Sequence, residues 1–144
     1  MNKIKCILLV DDDKTTNFLN EELIYDLEIA EQVQVAYNGL EALNYINREG
    51  KFKPAKRGDF PKPNIIFLDI NMPLMDGYEF LAEYDNLPKA KKAEVVIIFL
   101  TTSDSHKDKL NLGSDKLVTE YLEKPLRKEE LLKIRDLYFK NIQA

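Results

Sequence analysis

The sequence is short of the residues that redox and soft-metal chemistry need. Its one cysteine, Cys6, rules out an internal disulfide, and its place in the apolar run Ile4–Val10 marks a buried strand thiol rather than a nucleophile. The one histidine, His106, leaves no His/Cys set for zinc. It sits in a polar stretch, Ser103–Asp108, with no dimerisation helix around it, so it reads as an exposed side chain and not as a phosphorylated kinase histidine. No apolar run approaches the ~20 residues of a membrane-spanning helix. The amino-terminal run Cys6–Val10 is closed by three aspartates, with no small-residue cleavage site after it, so neither anchor nor signal peptide is expected. Positive charge is not in excess either: the formal net charge is −4, which argues against a general nucleic-acid binder. A cytoplasmic protein without membrane contact is the simple expectation.

What is present is the composition of one globular domain, 144 residues with 44% apolar and 32% charged side chains. Five apolar runs have strand length: Ile4–Val10, Val33–Ala36, Ile65–Leu68, Val95–Leu100 and Val118–Leu122. The first, third and fourth are nearly continuous in Ile, Leu, Val and Phe, as central parallel strands covered on both faces must be. Val33-Gln34-Val35 alternates, which suits an edge strand. Helical spacing fills the gaps: Leu19, Leu23 and Leu27 with Ile24; Leu40, Leu43 and Ile46; Leu81 and Tyr84 after Gly77; and Leu131, Ile134 and Tyr138. The segment Asp104–Leu112, mostly polar, is the least clear. Strand and helix alternating five times predict right-handed βαβ units, an α/β fold with a parallel sheet and helices on both faces. The long Pro/Gly-containing basic stretch Arg48–Asn64 reads as a solvated loop, with a docking surface as the minority alternative. The chain ends at Ala144, soon after the last apolar stripe closes, so a single domain over residues 1–144 with no attached effector is expected.

Ligands of parallel sheets bind beyond the carboxyl ends of the strands. Those ends carry Asp11-Asp12-Asp13, Asp69-Ile70-Asn71, Thr101-Thr102-Ser103 and Glu123-Lys124-Pro125. Two or three carboxylates gathered from Asp11, Asp12 and Asp69 repel one another, and a cation or a retained proton must relieve them. An oxygen-only set selects a hard ion, Mg²⁺ or Mn²⁺. Asp13 doubles as the N-cap of the next helix. Lys124, restricted by the proline that follows it, can reach an anion at the same edge, and Thr101 can donate its hydroxyl there. Read singly, a solvated acidic turn, a surface lysine and a strand-end threonine are the bland alternatives. Their shared position favours a site.

The set Leu9-Val10-Asp11-Asp12, Phe67-Leu68-Asp69-Ile70-Asn71-Met72-Pro73-Leu74-Met75-Asp76-Gly77, Thr101-Thr102-Ser103 and Tyr121-Leu122-Glu123-Lys124-Pro125 closely resembles response-regulator receiver domains of two-component signalling, over nearly the whole chain. The resemblance implies a flavodoxin-like sheet of order 2-1-3-4-5. It makes Asp69 the phosphoryl acceptor and gives Mg²⁺ to Asp12, Asp69 and the backbone carbonyl of Asn71, with Asp11 acting mostly through water. Thr101 and Lys124 would hold the phosphoryl oxygens, and Tyr121 would turn inward on activation. The implied donor is a histidine kinase or histidine phosphotransfer protein. The implied output is an unidentified protein target, met through the face of the helix expected between strands four and five, strand five and the last helix. One departure stands out: Leu117 occupies a position where many receivers carry glycine, and Gly113 lies further back. Three rivals fit less well. A haloacid-dehalogenase-type phosphatase needs an aspartate where Asn71 stands, a flavodoxin-type cofactor loop would be repelled by Asp11–Asp13, and a phosphorylation-independent binding module leaves the filled site unexplained.

Overall fold

The computed structural model describes residues 3–92, 95–102 and 117–143, with side chains to residue 138. Five parallel strands, β1 (Ile4–Val10), β2 (Ala30–Ala36), β3 (Ile65–Asp69), β4 (Val96–Thr101) and β5 (Val118–Glu123), form one sheet of order β2-β1-β3-β4-β5. Four of the five begin within a residue of the apolar runs. β2 starts three residues earlier, because Ile4 pairs with Ala30 and carries the ladder into the polar Glu31-Gln32 stretch. β1 and β3 pair in register from Ile7↔Ile65 to Val10↔Leu68, which brings Asp11 and Asp69 to adjacent strand ends. β4 lies beside β3 with Asp69 opposite Leu100, so Thr101 is one residue beyond. β5 closes the edge, with Thr101 opposite Glu123 and Lys124 next in line.

Helices α1 (Lys14–Asp26), α2 (Gly39–Asn47), α3 (Gly77–Asp85), the short turn α4 (Lys89–Lys92) and α5 (Lys128–Gln143) connect or follow the strands. The sheet separates two cores. One packs Leu8, Val10, Ile66, Leu68 and Phe99 against α2 and α3, and the other packs Ile7, Leu9, Phe67 and Ile98 against α1 and α5. The all-apolar central strands thus have both faces covered, as their composition requires.

Two helical faces differ from the sequence expectation. α1 buries Asn17, Asn20 and Ile24, whereas Leu19 is 59% exposed and Leu23 and Leu27 are only half-buried. Asn17 takes the inner face, where its Nδ2 donates to the carbonyl of Asp11 at 2.8 Å, a bond that an apolar side chain cannot make. α2 buries Ala42, Tyr45 and Ile46 and leaves Leu40 43% exposed. There the large Tyr45 ring sets the inward direction. The stripes Leu81/Tyr84 and Leu131/Ile134 are buried as expected. Asp104–Leu112, His106 and Gly113 fall outside the described residues.

The stretch 48–64 is not simply solvated. A 3₁₀ turn (Gly50–Phe52) buries Phe52, which meets Tyr45 and Phe60 in a three-ring cluster with centroids 5.0–6.0 Å apart. The Tyr45 hydroxyl donates to the carbonyl of Pro61 at 2.7 Å. Asn64 bonds β1 through both its backbone and side chain, and its carbonyl accepts from Val96. The loop is therefore fastened to the core at both ends.

Candidate functional site

The acidic turn after β1 is built by its own carboxylates. Asp13 Oδ1 accepts from the amides of Thr15 and Thr16 at 2.9 and 3.4 Å, so it is the N-cap of α1, and hydrogen bonding from the Thr16 hydroxyl, followed by these amide bonds, holds its carboxyl below the usual range. Asp11 Oδ1 accepts from the Asp13 amide at 2.9 Å, which turns the other oxygen of this buried residue toward the strand ends. Asp12 is left exposed at the mouth.

Asp69 ends β3, 8% exposed, with Oδ1 accepting from the Ile70 amide at 2.9 Å. Lys124 arrives from the end of β5, its amide donating to the Thr101 carbonyl at 2.8 Å. Its ammonium lies 2.8 Å from Asp11 Oδ2 and 2.9 Å from Asp69 Oδ1. Carboxylate oxygens of Asp11, Asp12 and Asp69 fall within 4.8 Å of one another. Burial raises the Asp69 carboxyl above its ordinary range, the Asp11 charge adds to this, and the Lys124 hydrogen bond only partly offsets it. Burial acts to lower the Lys124 pKa, but hydrogen bonds and charge from Asp11 and Asp69 outweigh it, and the ammonium is held above its usual value. Three carboxylates with one ammonium make an oxygen-rich, net-negative nest. That donor set suits a hard divalent cation.

The loop after Asp69 wraps tightly. Gly77 donates to the Ile70 carbonyl at 2.8 Å, and a Cβ there would lie 2.7 Å from the Asp69 carbonyl and 2.8 Å from the Phe99 ring. Only glycine allows α3 to start so close beneath the strand end. Asp76 caps that helix in a reciprocal box with Glu79. Asn71 is exposed two residues past Asp69. Thr101 is 2% exposed, and its hydroxyl is 3.4 Å from the Leu122 carbonyl, turned to β5. Tyr121 is half-buried with its ring stacked on Phe99 at 6.1 Å. Sequence reasoning missed Asn17 and the docking of Gly39, whose amide donates to the Met75 carbonyl at 2.8 Å. Gly39 carries no local signal, because it acts across a long-range contact, and Asn17 reaches back across the β1–α1 turn to a carbonyl that no sequence pattern marks.

The response regulator receiver domain model matches residues 7–136. The chain belongs to the receiver domain family. Among curated relatives, Response regulator Rcp1 of Synechocystis is 36% identical over 107 residues, 74% of this chain and 68% of that one. The crystal structure of a two-component response regulator from Cytophaga hutchinsonii superposes with a TM-score of 0.79 at 27% identity, covering 96% of this chain and 99% of that one. The phosphorylated cyanobacterial phytochrome response regulator RcpA gives 0.68 at 30% identity (97% and 91% covered), and the Mn²⁺-bound form of Rcp1 gives 0.67 at 32% (91% and 88%). This receiver is thus a signalling domain and not a classical enzyme. Receivers bind a divalent metal, and the Asp11/Asp12/Asp69 cluster fits one. Among the described residues no helix is long and apolar enough to cross a membrane.

Proposed function

We propose that this receiver takes a phosphoryl group onto Asp69 with Mg²⁺ held by Asp12, Asp69 and the backbone carbonyl of Asn71, Asp11 contributing mainly through water. The observation that carries the reading is the ammonium of Lys124 shared between buried Asp11 and Asp69 beside an exposed third carboxylate. The carboxylate of Asp69 attacks phosphorus, the donor's phosphoramidate P–N bond breaks, and the freed imidazole takes up a proton. Lys124 then turns from the carboxylates to the phosphoryl oxygens, and Mg²⁺ would neutralise the remaining charge, so that positioning and electrostatics do the work. The phosphodonor is a histidine kinase or a histidine phosphotransfer protein in the cytoplasm, and the receiver assists its own later hydrolysis.

Thr101 supplies the switch. To reach a phosphoryl oxygen its hydroxyl must leave the Leu122 carbonyl, and that movement opens space for the Tyr121 ring to turn inward from Phe99. Two discrete packings follow, and phosphorylation shifts their populations. The output is binding of a separate protein on the face around β5 and α5. An NMR comparison with and without beryllofluoride and Mg²⁺ tests this. Shifts are expected at Thr101, Tyr121 and Lys128–Tyr138 as well as at the aspartates. Shifts confined to residues that touch the ligand would refute the switch.

A further inference from the structure

Asn17 stands where its chemistry is out of place. On α1 it shares the inner face with Asn20 and Ile24, a position at which an amphipathic helix ordinarily carries an apolar side chain. The residue is 3% exposed, and its Oδ1 has no hydrogen-bond partner among the described residues. An amide buried with its oxygen unpaired costs stability, and asparagine is a poor helix former besides. The stability of α1 alone would therefore favour an apolar residue here. What Asn17 provides instead is the bond from Nδ2 to the carbonyl of Asp11 at 2.8 Å.

That bond bears on Asp12. The Asp11 carbonyl and the Asp12 amide belong to one rigid peptide plane, and Asn17 holds this plane by its oxygen. The next plane, between Asp12 and Asp13, is held by its N–H, which donates to Asp11 Oδ1 at 2.9 Å. Both planes flanking the Asp12 Cα are thus fixed, and with them the direction in which its side chain leaves the backbone. The anchors on either side are firm. The Asp11 amide donates to the Ala36 carbonyl at 3.1 Å, and the Asn17 amide donates to the Asp13 carbonyl at 3.1 Å, so the clamp is part of the first turn of α1. Asp12 itself is exposed, so its direction comes from its backbone more than from packing.

We propose that Asn17 is a positioning residue for the metal site: it pins the Asp11–Asp12 peptide so that the Asp12 carboxylate stays gathered with those of Asp11 and Asp69. The inference rests on the reading of Asp12 as a metal ligand given above. A Mg²⁺ site built from few carboxylates keeps several waters and has little binding energy to spare for ordering its own ligands. Its affinity then depends on how far the carboxylates are already in place, and the three lie within 4.8 Å of one another before any ion arrives. Groups that orient metal ligands from behind typically contribute about 10–100-fold in affinity. Asn17 is such a group, acting through the backbone of the acidic turn and not by touching the ion.

The test is a calorimetric Mg²⁺ titration of the full chain as wild type, as Asn17→Leu, which keeps the branched shape without the donor, and as the smaller Asn17→Ser. The rate of phosphorylation by acetyl phosphate is followed against Mg²⁺ concentration on the same proteins. Asn17→Leu should weaken Mg²⁺ binding by about tenfold. It should raise the Mg²⁺ concentration for half-maximal rate by the same factor, with the rate at saturating Mg²⁺ within about twofold of wild type. Asn17→Ser should weaken binding severalfold and carries the test if the leucine variant misfolds. Asn20→Leu, on the same buried face, should leave Mg²⁺ affinity unchanged. A merely structural role gives the opposite split, a lower maximal rate at an unmoved half-saturation point, and that result overturns the proposal. Folded Asn17 variants with wild-type Mg²⁺ affinity overturn it too, as does an equal loss in Asn20→Leu. A wild type that binds no Mg²⁺ overturns the assignment of the metal ligands as well, whereas unchanged variants beside a Mg²⁺-binding wild type overturn only the role of Asn17.

Discussion

Replacing Lys124 by methionine keeps the side chain's bulk and removes the one charge that Asp11 and Asp69 share. Two buried carboxylates then remain, with oxygens within 4.8 Å of one another. At an effective dielectric constant near 20, two unit charges at that separation repel by ~3.5 kcal/mol or more, and each lost contact near 2.8 Å was worth ~6 kcal/mol before desolvation. Together these exceed the alternative open to the protein, which is to protonate one carboxyl. Starting from an unfolded aspartate near pKa 3.9, holding a proton at pH 7 costs about 4 kcal/mol, and at pH 5 about 1.5 kcal/mol. Protonation therefore sets the ceiling, so the metal-free variant should be destabilised by about 3–4 kcal/mol at pH 7. The sign follows from the folded pKa lying above the unfolded one: the folded state binds more protons, and stability falls as pH rises from 5 to 7. Wild type should show the same trend more weakly, since its Asp69 carboxyl is already raised by burial. Urea unfolding in EDTA at pH 5, 6 and 7 measures both proteins. A loss under 1 kcal/mol at pH 7, or a loss independent of pH, would refute the electrostatic account of the site.

Asp12→Ala should lose measurable Mg²⁺ binding by calorimetry while its metal-free stability stays within about 0.5 kcal/mol, because Asp12 is exposed. Unchanged Mg²⁺ affinity would remove Asp12 from the metal's ligands. Tyr84 is 1% exposed, its hydroxyl has no hydrogen-bond partner in the described structure, and burial pushes its pKa to about 12. Tyr84→Phe should therefore be neutral or stabilising, by up to about 1–2 kcal/mol, in the same urea assay; a loss of stability would show that the hydroxyl is used. Cys6 is fully buried with its thiol pushed up to about 11, so iodoacetamide at pH 8 should label it only in denaturant. Rapid native labelling would mean that β1 opens readily.

The strands were legible because parallel central strands leave an uninterrupted apolar signature, and the candidate site because strand ends concentrate unusual residues at one edge. Asp11, Asp69, Thr101 and Lys124 could be gathered from sequence for that reason, and the structure brings them together. Helix faces were less legible. α1 turns Asn17 and Asn20 inward, and the bond from Asn17 to the Asp11 carbonyl is invisible to a count of leucines. α2 turns on Tyr45, whose partners Phe52 and Phe60 lie in the following loop. That loop reads as solvated because its lysines outnumber its aromatic anchors, yet two buried or half-buried rings suffice to fix it. The orientation of Thr101 toward Leu122 likewise depends on β5 lying alongside, which no local motif encodes.

The most direct test of the central claim is to locate the phosphoryl group. The protein is incubated with acetyl phosphate and Mg²⁺, the intact mass is read, and the product is reduced with borohydride, which converts an aspartyl phosphate to homoserine. The account predicts one added phosphoryl group, dependent on Mg²⁺, with homoserine at position 69 in the peptide spanning Asn64–Asp76 and no adduct in Asp69→Asn. Homoserine at another aspartate in the wild-type protein, or full-yield phosphorylation of Asp69→Asn, would contradict it.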